Sequence, residues 1–343
     1  MTAASTATGT ETEFVAALSA LTVRLGFGEV RNLRHLSGGA SKQTWAFDAG
    51  TASLVLRRDS GNAIIVSELA EISTSIPLET EAELMILAGR AGVPSPEIIH
   101  VLGPEDGLGV GFVMRHVGGE ALGGRIVRNS AFASAREQLA FQCGEILARI
   151  HAISLPDTAM LTLRSPKEII GTWQAVHEVE QWPRPVFDLA FQWLGERTPD
   201  VGVPMLVHGD FRNGNLLVGP DGVTAVLDWE LAYIGDPMQD LGWLCTNSWR
   251  FGAVDKPVGG FGTREQLFAG YESGGGAPVD PERVRFWEIF GSLRWGVMCT
   301  MSTVKFRELR ADGNVEINVD LPMIARRASE TELDLVNLLR ETV

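Results

Sequence analysis

The sequence predicts an α+β protein with a small β-rich N-terminal lobe and a larger, mainly helical C-terminal lobe. Three observations carry that expectation. Between Val30 and Leu56, short apolar runs are punctuated by Gly38-Gly39, Asp48 and Gly50, the mark of strands joined by tight turns. From about residue 131 onward apolar residues recur at helical spacing, as in Leu139, Cys143, Ile146, Leu147 and Ile150. A short β interlude between Met205 and Leu227 interrupts these helices. A chain of 343 residues suits about two domains or lobes. The divide is expected at a hinge near 117, with a disordered tail over 1–10, one lobe over 11–117 and the other over 118–343.

Each element has its own signal. Phe14, Leu18, Leu21 and Leu25 predict a first helix that stops at Gly26. Three strands follow to Leu56, then a polar stretch over 59–71. A second helix is predicted from Leu78 to Arg90, ended by Gly92 with Pro94 beyond. Two more strands are expected over 98–102 and 110–116, before Gly118-Gly119 breaks the pattern. Helices are predicted near 131–152, 166–178 and 184–197. They return after the β interlude and run to the end, with a Gly-rich loop over 252–262.

Charge excludes some function classes. Lys and Arg number 29 against 43 Asp and Glu, a net charge of −14. A surface that grips the nucleic-acid backbone, or a polybasic membrane binder, needs the opposite sign. The acidity is spread, with 8 basic and 13 acidic residues up to 118 and 21 and 30 beyond, so it forms no concentrated trap for a cationic ligand. Cys143, Cys245 and Cys299 are far apart and form no CxxC pair, which points away from a zinc cluster or disulfide framework. Residues 1–13 lack the positive charge and apolar run of a signal peptide, and no apolar run spans a bilayer, so a cytoplasmic location is expected.

Chemistry concentrates between Leu206 and Glu230. An apolar strand ends at His208, and the following loop places Asp210 and Asn215 five residues apart. A strand, a Gly219-Pro220-Asp221-Gly222 turn and a second strand then return the chain to Asp228, beside Asn215. One carboxylate, one amide oxygen and a second carboxylate thus meet at one end of a hairpin. Mg²⁺ takes hard oxygen ligands and keeps phosphates and waters in its shell, so one or two protein oxygens suffice. A separate carboxylate can accept the proton of an attacking hydroxyl. The set suits phosphoryl transfer. A lone His-x-Asp is ordinarily a cap or a turn; the whole string is not.

His208-x-Asp210-x-x-x-x-Asn215 resembles the catalytic loop of the aminoglycoside phosphotransferase family, which shares the protein-kinase-like fold. Asp228-Trp229-Glu230 resembles its metal-binding motif, and Gly235-Asp236-Pro237-Met238-Gln239-Asp240-Leu241-Gly242 is similar to its continuation. The resemblance covers about residues 25–300 and is densest over 206–243. It implies Asp210 as catalytic base or hydroxyl-orienting group, Asn215 and Asp228 as Mg²⁺ ligands, ATP as donor and a small-molecule hydroxyl as acceptor. His208 is expected to hold the loop rather than carry a proton. Asp240 is expected to receive backbone N–H bonds from the loop or to cap the next helix. Arg212 has two readings, a phosphate contact or a partner for an acidic residue.

The resemblance extends to the N-terminal lobe. Ser37-Gly38-Gly39-Ala40-Ser41 is a Gly-containing turn whose backbone N–H groups can cradle phosphate oxygens. Strand alternation puts Val55 and Arg57 on one face. In kinase-like folds a Lys on this strand reaches the nucleotide phosphates; here Arg57 replaces it, with Val55 covering the adenine. Leu56-Arg57-Arg58 is similar to kinase domains fused to acyl-CoA dehydrogenases. An acidic partner is implied on the following helix, matched to Glu81 with Glu83 left open. The strand ending in Met114-Arg115-His116-Val117 looks like the hinge. Backbone groups of Arg115 to Val117 would bind the adenine edge, with Met114 behind it.

The acceptor side is less defined. Trp243, Trp249, Trp287 and Trp295 fit a core or a ligand wall, and no dense acidic run awaits a polycation. Arg283, Arg285 and Arg294 fit either an anionic group or surface pairs. The expected activity is an ATP- and Mg²⁺-dependent kinase of a small-molecule hydroxyl. The alternatives are a kinase of a hydroxyacyl or hydroxyacyl-CoA metabolite, and a nucleotide-binding pseudokinase, which the Arg57 replacement keeps in view. The sequence lacks an activation segment ending in Ala-Pro-Glu, which disfavours a protein kinase.

Overall fold

A computed structural model describes residues 4–36, 42–59, 75–157, 160–179, 182–200, 202–311 and 320–341. The described residues divide into two compact units: those up to Asp59 together with Ile76–Gly118, and Ser75 together with those from Gly119 onward. The structure is thus α+β, with an antiparallel sheet in the first unit and a helical second unit.

Helix α1 (Ala4–Arg24) opens the first unit. The tail expected over residues 1–10 is therefore helical from Ala4 onward. Once a packed nucleus exists, each added residue gains a backbone bond at little further cost, and no proline stops the extension. The nucleus is apolar: Leu18 and Leu21 are buried among Phe47, Leu54, Leu56, Leu108 and Val113, with Phe14 and Leu25 packed alongside. Strands β1 (Val30–Leu36), β2 (Lys42–Ala49), β3 (Ala52–Asp59), β4 (Ile98–Val101) and β5 (Gly111–Arg115) form one sheet in the order β1-β2-β3-β5-β4, with every neighbouring pair antiparallel. Between β3 and β4 lies α2 (Leu78–Arg90), which buries Leu78, Glu81, Ala82, Leu84, Met85 and Ala88 and packs on β4 and β5.

The second unit begins with α3 (Gly123–Arg128), α4 (Ala133–His151), α5 (Pro166–Val179) and α6 (Pro185–Glu196). The β interlude contains the expected hairpin, β7 (Leu216–Gly219) and β8 (Gly222–Val226), paired Leu216 to Val226 and Gly219 to Gly222. A pairing the periodicity did not announce extends beyond it: β6 (Met205–Val207) runs antiparallel to β9 (Tyr233–Gly235). Helices α7 (Met238–Cys245), α8 (Arg264–Ser273), α9 (Pro281–Ala311), α10 (Asp320–Ala325) and α11 (Ala328–Arg340) complete it.

Close packing positions these helices. A Cβ at Gly144 on α4 would lie 2.2 Å from the Leu267 carbonyl oxygen on α8, so only glycine permits this approach. Helix α9 packs against α7, α10 and α11. It also carries Glu288, fully buried and bound by Arg250 Nη2 at 2.8 Å and Arg264 Nη2 at 2.7 Å. A carboxylate this deep is tolerable because it is paired and hydrogen-bonded. Among the described residues no helix is long and apolar enough to cross a membrane.

Candidate active site

The loop from His208 to Asn215 joins β6 to β7, and its shape is held from three sides. His208 is fully buried, its ring 4.7 Å from that of Trp229 and 5.9 Å from that of Phe211. Nδ1 accepts the Asp210 N–H at 3.2 Å, so Nε2 carries the proton and donates to the Leu227 carbonyl at 3.2 Å. Burial lowers the His208 pKa against the raising effect of Asp240, Asp210 and Asp228. A neutral imidazole with both nitrogens committed is a brace between the loop and the end of β8, the role expected from the sequence.

Asp240, fully buried on α7, is the second support. Its Oδ2 accepts the His208 N–H at 2.8 Å and its Oδ1 the Gly209 N–H at 2.9 Å. His151 Nε2 on α4 reaches the same carboxylate at 3.1 Å, and Tyr271 OH lies 2.9 Å from His151 Nδ1. Just beyond the His208 and Gly209 N–H groups the chain turns at Gly209, with φ +79° and the Leu231 carbonyl 2.3 Å from where a Cβ would sit. The third support is Asn213, fully buried, whose Nδ2 donates to the carbonyls of Trp249 at 3.1 Å and Gly259 at 2.6 Å.

These supports place Asp210. Its carboxylate accepts from Arg212 Nε at 2.9 Å, Trp243 Nε1 at 2.8 Å and Asn215 Nδ2 at 2.7 Å. Arg212 is thus an ion-pair partner of Asp210, and its guanidinium also stacks 4.5 Å over the Trp249 ring. Asn215 spends its nitrogen on Asp210, so Oδ1 is the atom of this side chain that can donate a lone pair to a cation. The hairpin brings Asp228 to the same end, as expected: the Leu227 N–H donates to the Asn215 carbonyl at 2.8 Å. Asp228 itself has φ +64°, a left-handed backbone uncommon outside glycine and found most often where a side chain must be aimed. The Asn215 amide oxygen and the Asp228 carboxylate are hard donors at adjacent backbone positions, a set that fits Mg²⁺ when phosphates complete its shell.

In the first unit, β3 pairs with β5 so that Val55 lies opposite Met114 and Arg57 opposite Phe112. Arg57 Nε lies 3.1 and 3.3 Å from the two carboxylate oxygens of Glu81. Glu81 is 1% exposed, whereas Glu83 points to solvent, so the choice the sequence left open falls to Glu81. Val55 and Met114 are buried. At the end of β5 the Arg115 N–H donates to the Glu97 carbonyl and the His116 N–H to the Ser53 carbonyl. The Val117 N–H has no acceptor among the described residues. The turn Ser37, Gly38, Gly39, Ala40 and Ser41 lies outside the described residues.

Sequence reasoning missed two residues. Trp243, which the sequence fits to a core or a ligand wall, is buried and also bonds Asp210. Its signal was present, since it follows Asp240 by three residues and so shares a helix face with it. Arg294, which the sequence fits to a surface pair or an anion ligand, is instead 5% exposed, donating from Nη1 to the Gly209 carbonyl at 2.8 Å and stacking 4.5 Å from the Trp243 ring centre. Nothing local announces that contact across 85 residues. Arg283 and Arg285 are engaged in ion pairs, with Asp236 and Glu341 respectively.

The chain is 28% identical over 218 residues to acyl-CoA dehydrogenase family member 10 of Mus musculus, matching 60% of this chain and 19% of that protein. The chain therefore spans about a fifth of that relative. The fold is similar to the macrolide 2′-phosphotransferase of Brachybacterium faecium, with TM-score 0.58, 22% identity and coverage of 92% of this chain and 97% of that one. It is also similar to a thermostable mutant of an aminoglycoside phosphotransferase solved with ADP and hygromycin B, with TM-score 0.59, 18% identity and coverage of 94% and 98%. The family model for the phosphotransferase enzyme family, of the aminoglycoside phosphotransferase type, matches residues 32–287, three-quarters of the chain, and the protein belongs to that family.

Proposed function

We propose that this protein is an ATP- and Mg²⁺-dependent kinase that moves the γ-phosphoryl group to a hydroxyl of a small molecule. The observation that carries the reading is the Asp210 carboxylate, held by three N–H donors beside Asn215 and Asp228. Asp210 would orient the acceptor hydroxyl and take its proton. Asn215 Oδ1 and the Asp228 carboxylate would hold Mg²⁺, which neutralises charge on the transferring phosphates when bound. In the first unit Arg57, aligned by Glu81, would contact the phosphates, Val55 would cover the adenine, and Met114 would lie behind it. Of the hinge groups, the Arg115 carbonyl and the unengaged Val117 N–H would read the adenine edge; the N–H groups of Arg115 and His116 are already bonded. The intact Arg57–Glu81 pair supports a working phosphate site over a pseudokinase. Three buried free cysteines suit a reducing, cytoplasmic setting.

One observation favours a hydroxyacyl metabolite over a polycation as acceptor. The side chains that extend the surroundings of Asp210 are indoles and guanidinium groups. Trp249 lies 5.1 Å from Trp243 and 5.0 Å from Trp295, with Arg212, Arg294 and Arg327 stacked on this set. The ring faces are taken by the guanidinium groups, and that positive charge suits a carbonyl or carboxylate oxygen and disfavours a polycation. The acyl-CoA dehydrogenase relative points the same way.

The test is a transfer screen with radiolabelled ATP over aminoglycosides, macrolides, choline-like amines and hydroxyacyl-CoA compounds. Label is expected in the hydroxyacyl class. Asp210→Asn should lower kcat by about 10²–10⁴ while the fold survives. Wild-type turnover by that variant would remove Asp210 from its role.

A further inference from the structure

The two oxygens of the Asp210 carboxylate are not equivalent. Oδ1 accepts two hydrogen bonds, from Arg212 Nε at 2.9 Å and Trp243 Nε1 at 2.8 Å. Oδ2 accepts one, from Asn215 Nδ2 at 2.7 Å. Each carboxylate oxygen offers about two lone-pair positions, so Oδ1 is filled and Oδ2 keeps one. The side chain is 12% exposed, which leaves it reachable.

The indole that fills Oδ1 is itself fixed. Trp243 is 2% exposed on α7, one turn beyond Asp240, whose carboxylate holds the N–H groups of His208 and Gly209. Arg294 stacks on the Trp243 ring and donates to the Gly209 carbonyl at 2.8 Å, clamping the indole and the loop together. An indole N–H is a donor only and carries no charge, so it can fix a carboxylate without neutralising it.

We infer that Trp243 is a positioning residue for phosphoryl transfer. Its N–H locks the Asp210 carboxylate so that Oδ2 alone faces the acceptor hydroxyl, and Arg294 holds the indole in place. This rests on the reading of Asp210 as the proton acceptor. In the step it serves, the acceptor O–H bond breaks and the proton passes to Asp210 Oδ2. The freed oxygen bonds to the γ-phosphorus, the bond from phosphorus to the bridging oxygen breaks, and that oxygen leaves on ADP.

Trp243→Phe keeps a six-membered ring beside Arg294 and removes the pyrrole ring with its N–H, so the benzothiophene analogue below isolates the N–H itself. We expect kcat to fall about 10- to 100-fold, the loss typical of one hydrogen bond to a charged group. KM for ATP should stay within about twofold. The discriminating readout is a double-mutant cycle with Asp210→Asn. A residue that acts through Asp210 should cost little further turnover once Asp210 is gone, whereas a merely structural residue should cost the same in both backgrounds. If Trp243→Phe fails to fold, a benzothiophene analogue of tryptophan at 243, which exchanges only the N–H for sulfur, makes the same comparison. Unchanged kcat, or equal losses in both backgrounds, would overturn the inference. Wild-type turnover by Asp210→Asn alone would instead overturn the role of Asp210.

Discussion

Arg57 and Glu81 show how much one residue choice decides. Strand alternation places Arg57 on the same face as Val55, but helix periodicity alone cannot choose between Glu81 and Glu83. Burial makes the choice: Glu81 is 1% exposed and lies against Arg57, while Glu83 faces water. Removing one member of a buried pair leaves the other charge uncompensated. Glu81→Gln should therefore raise KM for ATP about tenfold, read from initial rates over an ATP series, since a hydrogen bond to a charged group contributes roughly 1.5–3 kcal/mol. Glu83→Gln should leave KM unchanged. Equal effects of the two substitutions would contradict the pairing. The catalytic loop is legible at the same scale: His208, Asp210 and Asn215 lie within eight consecutive residues, so their meeting depends on one turn and one hairpin.

At the scale of elements, the C-terminal end of α1 is tied to the turn at Pro104–Asp106. Asp106 is buried and is bound by Arg24, by His100 Nε2 at 2.9 Å and by the Gly103 N–H at 2.7 Å. Burial raises its pKa, but the Gly103 N–H, His100 and Arg24 outweigh it and bring it down to about 2 from an ordinary 3.8. A carboxylate whose pKa is depressed in the folded state contributes stability above its unfolded pKa and loses it as pH falls through the folded value. The contribution is about 2 kcal/mol, present at neutral pH and lost between about pH 4 and pH 2. Asp106→Asn should lower the urea midpoint at pH 7, and the gap from wild type should close by about pH 2. A gap that persists there would contradict the assignment. Helix α7 carries a comparable burden in the second unit, with Asp240 and Trp243 one turn apart and both directed at the loop. The element was predictable; its partners depend on how it packs.

At the scale of the whole molecule, the proposed activity predicts linked binding. A ligand that binds only the folded chain stabilises it by about 2.7 kcal/mol at a hundred times its Kd. ATP with Mg²⁺ should raise Tm by several degrees, and EDTA should remove the metal-dependent part. Asn215→Ala combined with Asp228→Ala should abolish that part, read as the difference in the variant's own Tm with and without Mg²⁺, on a metal-free Tm lowered by loss of the Asn215–Asp210 hydrogen bonds. No shift with any nucleotide would overturn the proposed function.

The sequence by itself determined the β-rich and helical division, the hairpin and the residues grouped at its end. Those are local facts: alternation, helical spacing, glycine punctuation and a motif confined to residues 206–230. The extent of α1 was misjudged because composition favoured a tail, while burial of Leu18 and Leu21 supplied a nucleus for the helix. Only the tertiary structure decided that Glu81 pairs with Arg57, that Trp243 bonds Asp210, and that Arg294 reaches Gly209 from α9. These contacts join segments 24, 33 and 85 residues apart. No short-range pattern encodes them; they exist because burying the apolar faces of α2, α7 and α9 brings these polar groups within hydrogen-bond reach of one another.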